Sequence, residues 1–216
     1  MVKKFLLWIS IVNLVIMVWF ISKIQADIVP IHFNINGAID GWGSKWFLLI
    51  GPIIPFLLSI CFEIYNTATK NNRNVQVNKC FEKRVICAII IVFILMGWLM
   101  LASAQFEKLE TKFLSCITIL LGVLILYIST IMPKFKLNKT FGIRTPWTLK
   151  SEFVWNKTHK LGGTLGIIGG ILMIGSGLTS LIINISWICF WGIVLGIILC
   201  AIVPIIYSYK IYKNPQ

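Results

Sequence analysis

Six stretches of the chain are long and almost uninterruptedly apolar, at about 5–22, 46–65, 85–104, 113–132, 161–183 and 187–207. A hydrocarbon core about 30 Å thick needs roughly 20 apolar residues in helical form, so each stretch is predicted to cross a membrane. The first follows Lys3 and Lys4 in the manner of a secretory signal. Its apolar run of about 18 residues nevertheless exceeds the usual 7–15, and Ile24 stands where a small residue should precede Ala26. It reads as an anchor, and the predicted fold class is an all-α membrane protein, a bundle of six transmembrane helices.

Composition narrows this further. Hydrophobic residues make up 58% of the 216 and charged ones 12%, with a mean hydropathy of +0.89. A soluble domain carries roughly 25% charged residues, and a disordered chain needs low hydrophobicity, so both classes are excluded. The cysteines (61, 80, 87, 116, 189 and 200) form no C-x-x-C pair and mostly sit in apolar runs. They are expected to be buried small hydrophobes rather than metal ligands or disulfide partners.

Charge then sets an orientation. The net charge is +13, but the basic residues lie between apolar runs, which argues for topology and against direct nucleic-acid binding. Segment 66–84 has Lys70, Arg73, Lys79, Lys83 and Arg84 against Glu82. Segment 133–160 has Lys134, Lys136, Lys139, Arg144, Lys150, Lys157 and Lys160 against Glu152. With Lys3, Lys4, Lys210 and Lys213, 16 of the 20 basic residues fall on one side. The other side has Lys23, Lys45, Lys108 and Lys112, matched by Asp27, Asp40, Glu107 and Glu110. The bias predicts both termini in the cytoplasm of a bacterial plasma membrane.

Inside the spans only Glu63 is charged, near the end of the second, where it either snorkels to the interface or serves as a buried functional carboxylate. Gly162, Gly166 and Gly170 mark one face of the fifth span, and Gly192, Gly196 and Cys200 one face of the sixth. Small residues four apart let helix backbones approach, so these two spans are expected to pack as a tight hairpin around a turn near Asn184. Pro52, Pro55 and Pro204 are candidate bends.

Two segments exceed what spanning requires. In the external loop 27–45, Ile31, Phe33 and Ile35 alternate with His32, Asn34 and Asn36, the period of a half-buried strand. Asn36-Gly37 supplies a hairpin signal, and Trp42 and Trp46 suit the headgroup level. The loop reads either as a cover for the bundle or as a recognition surface. The second segment, 138–160, combines basic residues with Phe141, Trp147, Phe153 and Trp155. Thr148 or Ser151 is positioned to cap an amphipathic interfacial helix starting after Pro146, with Glu152, Trp155 or Asn156, and His159 sharing a face. Arg144, in a turn-rich site, is suited to clamp a carboxylate such as Glu152 or Glu63, backbone carbonyls or a lipid phosphate.

Conventional chemistry is missing from the sequence. His32 and His159 are separated by the bilayer, and no H-E-x-x-H, Walker loop or G-x-S-x-G occurs. Gly175-Ser176-Gly177 lies mid-span and reads as packing. No cofactor is implied, and a non-enzyme is expected.

Phe141-Gly-Ile-Arg-Thr-Pro-Trp-Thr-Leu149, followed by Trp155-Asn-Lys-Thr-His159, resembles the signature of the SdpI family, bacterial multi-pass immunity proteins against a secreted killing peptide. Pro30-Ile-His-Phe-Asn-Ile-Asn-Gly37 with Asp40-Gly-Trp-Gly43 is similar to the N-terminal membrane domain often fused in that family. A lysine, Lys160, stands where the family pattern leads one to expect arginine, which keeps the charge but not a planar fork. The resemblance implies protection from a membrane-active toxic peptide. It also implies a receptor role in which a transcriptional repressor is held at the membrane. Carried over as motif residues are Asn138, Phe141, Gly142, Arg144, Thr145, Pro146, Trp147, Thr148, Trp155, Asn156 and His159. External recognition is expected at Pro30, His32, Asn34, Gly37, Asp40, Gly41 and Trp42. The expected division is a two-helix unit over 1–65 and a four-helix unit over 66–216, and the alternative function is a small transporter, permease or membrane scaffold.

Overall fold

The computed structural model describes residues 4–72, 76–106, 109 and 112–214. Of the residues that carry the charge asymmetry, Lys3, Arg73, Glu107, Lys108 and Glu110 lie outside the described residues. Six helices are long and apolar enough to cross a membrane. They are α1 (Phe5–Lys23), α2 (Ile50–Ala68, entered through a 3-10 turn at Lys45–Leu49), α3 (Lys79–Ser103), α4 (Phe113–Ile131) and α5 (Glu152–Ile183), with a sixth span over Trp187–Lys213. That last span is α6 (Trp187–Ile197), a π-helical stretch (Ile198–Ile202) and α7 (Val203–Lys213), with Pro204 just after the irregularity. With six such helices, the start of α1 and the end of α7 lie at one end, called here the motif end. The opposite end carries a two-stranded antiparallel hairpin, β1 (Ile28–Phe33) and β2 (Ile39–Ser44).

Hydrophobicity does not drive helix association in lipid, so close approach and buried polar contacts must. Gly51 of α2 and Gly97 of α3 face each other so closely that a Cβ on Gly51 would lie 2.9 Å from the Gly97 Cα. Ser10 and Ser59 hydroxyls join α1 to α2 at 2.7 Å, and Trp98 Nε1 donates to Asn13 Oδ1 at 2.9 Å between α3 and α1. Ser115 and Ser180 pair at 2.7 Å between α4 and α5.

The glycine stripe behaves differently from expectation. The hairpin of the last two spans does form, around Asn184 in the left-handed conformation at the end of α5. The backbones of its two helices meet, however, at Gly169 and Gly196. Gly170 instead faces Gly122 and Leu126 of α4, and Gly166 lies between Ser129 of α4 and Cys200 of the sixth span. Gly162 meets Met132, Ile143 and Pro204, while Gly192 accommodates Ser176. The stripe Gly162/166/170 therefore chiefly seats α4, because 3.6 residues per turn places it beside, not on, the face that Gly169 presents to α6.

One further expectation is corrected. Only Cys189 is buried; Cys61 and Cys80 are exposed and the other three partly so. Cysteine is apolar enough to face lipid, so an apolar run does not dictate that it point inward. The interfacial helix expected to lead into the fifth span is the start of α5, a single 32-residue helix capped by Ser151, whose hydroxyl accepts from the Val154 N–H. At 1.5 Å per residue, α5 is about 48 Å long, so its first two turns extend beyond a hydrocarbon core of about 30 Å.

Candidate functional site

Residues 135–151, between α4 and α5, contain no regular structure beyond a 3-10 turn at Thr148–Lys150. Backbone groups in such a segment need side-chain partners where water is excluded. The sequence supplies them one by one. Asn78, fully buried before α3, donates Nδ2 to the Lys136 carbonyl and accepts the Lys136 N–H at Oδ1, both at 2.9 Å. Asn138 accepts the Thr140 and Phe141 N–H groups at 2.8 Å, the Asx turn for which asparagine is suited. Thr145 and Thr148 bond reciprocally, each hydroxyl accepting the other's N–H, and the Thr148 hydroxyl donates to the Ile143 carbonyl at 2.9 Å.

Trp155 and His159, one turn apart on α5, are both fully buried and stack at 3.9 Å between ring centroids. Trp155 Nε1 donates to the Phe135 carbonyl at 2.7 Å, and Phe135 stacks in turn on Phe141. The His159 ring bonds at both nitrogens, Nε2 with the Ile143 N–H at 3.0 Å and Nδ1 with the Trp155 carbonyl at 2.8 Å. An N–H can only donate and a carbonyl can only accept. The ring is thus the neutral tautomer with its hydrogen on Nδ1, acting as a bridge between the loop and α5. Gly142 makes this possible: its φ is +100°, and a Cβ there would collide with His159 Nε2. At the loop's far edge, Trp147 Nε1 donates to the Ser208 hydroxyl of α7 and its ring packs on Tyr209.

Among the residues these bonds leave on the surface are Arg144, Pro146, Lys150, Glu152, Phe153, Asn156, Lys157 and Lys160. Arg144 clamps neither Glu63 nor Glu152; Nη1 donates to the Lys139 carbonyl at 2.6 Å and closes the loop 139–144. Asn156 does not share a face with His159. It points outward beside Lys160, and both line a groove of about 480 Å³ between α4 and α5. A helical face is only about four residues wide, and burial of Trp155 decides which side turns in.

The buried carboxylate at this end is Glu82, not Glu63, which is partly exposed. Glu82 is 1% exposed; its Oε2 accepts from the Tyr65 hydroxyl at 3.0 Å, and its Oε1 has no partner among the described residues. Tyr65 also lies 3.4 Å from the Thr140 hydroxyl, so α2, α3 and the motif loop meet at this phenol. Counted among the basic residues of 66–84, Glu82 looked like one more solvated loop charge. The signal that could have found it is its helical spacing from Asn78 and Val85, which puts all three on one inward face.

At the other end, Pro30 pairs with Trp42 and His32 with Gly41, where a Cβ would lie 2.8 Å from the His32 Cβ. Asn34 spends its side chain accepting the Asn36 and Ala38 N–H groups, and Gly37 takes a φ of +75° in the turn. Pro30 and Gly37 are buried; of the expected recognition residues, His32, Asp40 and Trp42 are displayed. His32 Nδ1 is hydrogen-bonded to Asp40 Oδ1. Lys45 ties the hairpin base to the bundle through the Ile24 carbonyl at 2.8 Å and Asp27 at 3.3 Å, and Phe33 stacks on Phe113 of α4.

Residues 134–208 match the model of the SdpI/YfhL protein family, and residues 8–55 match a domain of unknown function (DUF1648). No curated protein and no solved structure matches the chain. The first match takes in the whole motif loop, α5 and the sixth span as far as Ser208, the residue that receives Trp147. The second takes in most of α1, the hairpin and the first turns of α2. On its six apolar helices the chain is a multi-pass membrane protein, and over residues 134–208 it is similar to the SdpI/YfhL protein family.

Proposed function

We propose that the protein protects its cell against a secreted, membrane-active killing peptide, with the hairpin end facing outward and the motif end in the cytoplasm. The likeness of residues 134–208 to the SdpI/YfhL family points to an immunity-type membrane protein, and the charge distribution supports the orientation, since cytoplasmic loops retain Lys and Arg. The observation that carries the reading is the division of the motif loop into locked and displayed halves. Asn138, Thr145, Thr148, Trp155 and His159 hold the backbone through their side chains, with Gly142 leaving room for the His159 ring, while Arg144, Pro146, Phe153, Asn156 and Lys157 are presented outward. A rigid platform of this kind costs little ordering entropy when a partner binds. Its exposed cations and aromatic ring fit a protein surface, in this reading a transcriptional repressor. His32, Asp40 and Trp42 face the peptide at the other end. The protein acts by binding.

The test is survival of peptide-sensitive cells expressing the intact chain, beside Arg144→Ala and His32→Ala variants at equal abundance, with a C-terminal reporter for orientation. Protection by the intact chain, its loss in either variant and a cytoplasmic reporter are expected. Absence of protection against every related peptide, or an external C-terminus, overturns the proposal. A transport function has less support. Asn13, a polar residue at mid-depth, accepts from Trp98 at Oδ1 in a helix–helix contact, and the π-helical stretch Ile198–Ile202 lies within the sixth span without a polar side chain to bind a solute.

A further inference from the structure

A groove of about 540 Å³ runs between α3 and α4 and opens sideways, away from both the motif loop and the hairpin. Its walls are aliphatic, with Ile91, Leu95 and Val123 each nearly half exposed, and Ala88 keeps it open. At its motif end stand two cations, Lys83 and Arg84. Among the described residues neither makes an ion pair or hydrogen bond with the protein. The neighbouring acid, Glu82, is turned to the opposite side, onto Tyr65. Lys83 also borders a second pocket, of about 470 Å³, between α1, α2 and α3, where Lys70 and Lys79 outnumber the one carboxylate, Glu63. The start of α3 is therefore cationic on both flanks.

Depth decides what such a groove takes. From Arg84 to Leu95 is eleven residues, about 16 Å along a helix. One leaflet of a hydrocarbon core is about 15 Å deep. The cations therefore sit at headgroup level while the aliphatic walls reach the bilayer midplane. An unpaired cation pair above an apolar channel of leaflet depth complements an anion joined to a hydrocarbon chain. We propose that this groove is a binding site for an anionic phospholipid, with one acyl chain between α3 and α4 and the phosphate on Lys83 and Arg84. No residue of the motif loop or the hairpin lines this groove, and the site stands or falls independently of the immunity reading.

The test uses the full chain purified in a mild detergent. Its thermal midpoint and its lipid binding by native mass spectrometry are measured with phosphatidylglycerol, with phosphatidylcholine of the same acyl chains, and with soluble glycerol phosphate. Phosphatidylglycerol is expected to raise the midpoint and bind preferentially, and the other two are not. Each cation near an anionic headgroup contributes enough that Lys83→Gln/Arg84→Gln should weaken phosphatidylglycerol binding by about 30-fold. Ala88→Phe, which fills the groove without changing charge, should also lose the preference, whereas Lys134→Gln/Lys150→Gln should retain it. Equal response to the two lipids, or equal loss in the Lys134/Lys150 control, overturns the site. Stabilisation by glycerol phosphate alone replaces it with a free-phosphate site and overturns it equally.

Discussion

Replacing Gly142 by alanine tests the geometry of the motif loop, because two separate penalties arise there and a second substitution removes only one. The first penalty is conformational: a φ of +100° is disfavoured for any residue with a Cβ, at a cost of roughly 1–3 kcal/mol. The second is steric: the new methyl would overlap His159 Nε2, and overpacking of this kind costs roughly 1–3 kcal/mol. Gly142→Ala alone should therefore destabilise by about 2–6 kcal/mol. His159→Ala alone leaves the Ile143 N–H without its acceptor, which costs about 1–3 kcal/mol, plus the cavity left by the ring. In the double variant the overlap is gone, so the two costs should fall short of additivity by about 1–3 kcal/mol. Unfolding of the four proteins in detergent micelles, followed by circular dichroism against denaturant or temperature, measures the cycle. Additivity within about 0.5 kcal/mol would mean that Gly142 and His159 do not touch, and the account of the loop would be wrong.

Three other outcomes are expected. Gly170→Ala should destabilise by about 1–3 kcal/mol, since its Cβ would lie 2.8 Å from the Gly122 carbonyl oxygen, whereas Gly175→Ala meets nothing within 4 Å and should gain roughly 0.5–1 kcal/mol; thermal melts of the two compare them directly. Tyr65→Phe should cost about 1–3 kcal/mol by leaving the buried Glu82 with no donor, and Glu82→Gln, which keeps an acceptor for Tyr65, should cost less than Glu82→Ala; the reverse order in denaturant melts would remove Glu82 from this network. Asp40→Ala removes an exposed hydrogen bond to His32 and should shift stability by less than about 1 kcal/mol while reducing protection in the survival assay; a large loss of stability would instead make the pair a structural strut.

The number of spans, the side on which most basic residues gather and the hairpin were decided by the sequence alone. Those features follow from local rules: a helix must be apolar for about 20 residues to cross lipid, and a strand must alternate. Glycine at 142 and asparagine at 138 likewise announced turns through their own backbone chemistry. What the tertiary structure decided is which side of each helix turns inward. The sequence could place Glu152, Trp155, Asn156 and His159 within two turns, yet only packing against Phe135 and Ile143 chose Trp155 and His159 for the interior. The same holds for the glycine stripe of α5, whose partner proved to be α4, and for Glu82, whose burial depends on Tyr65, 17 positions away along the chain. In a membrane, apolar residues satisfy lipid and protein interior equally, so hydrophobicity marks the span without marking its face. The inward face is set by small residues and buried hydrogen bonds, and those become visible only when the helices stand side by side.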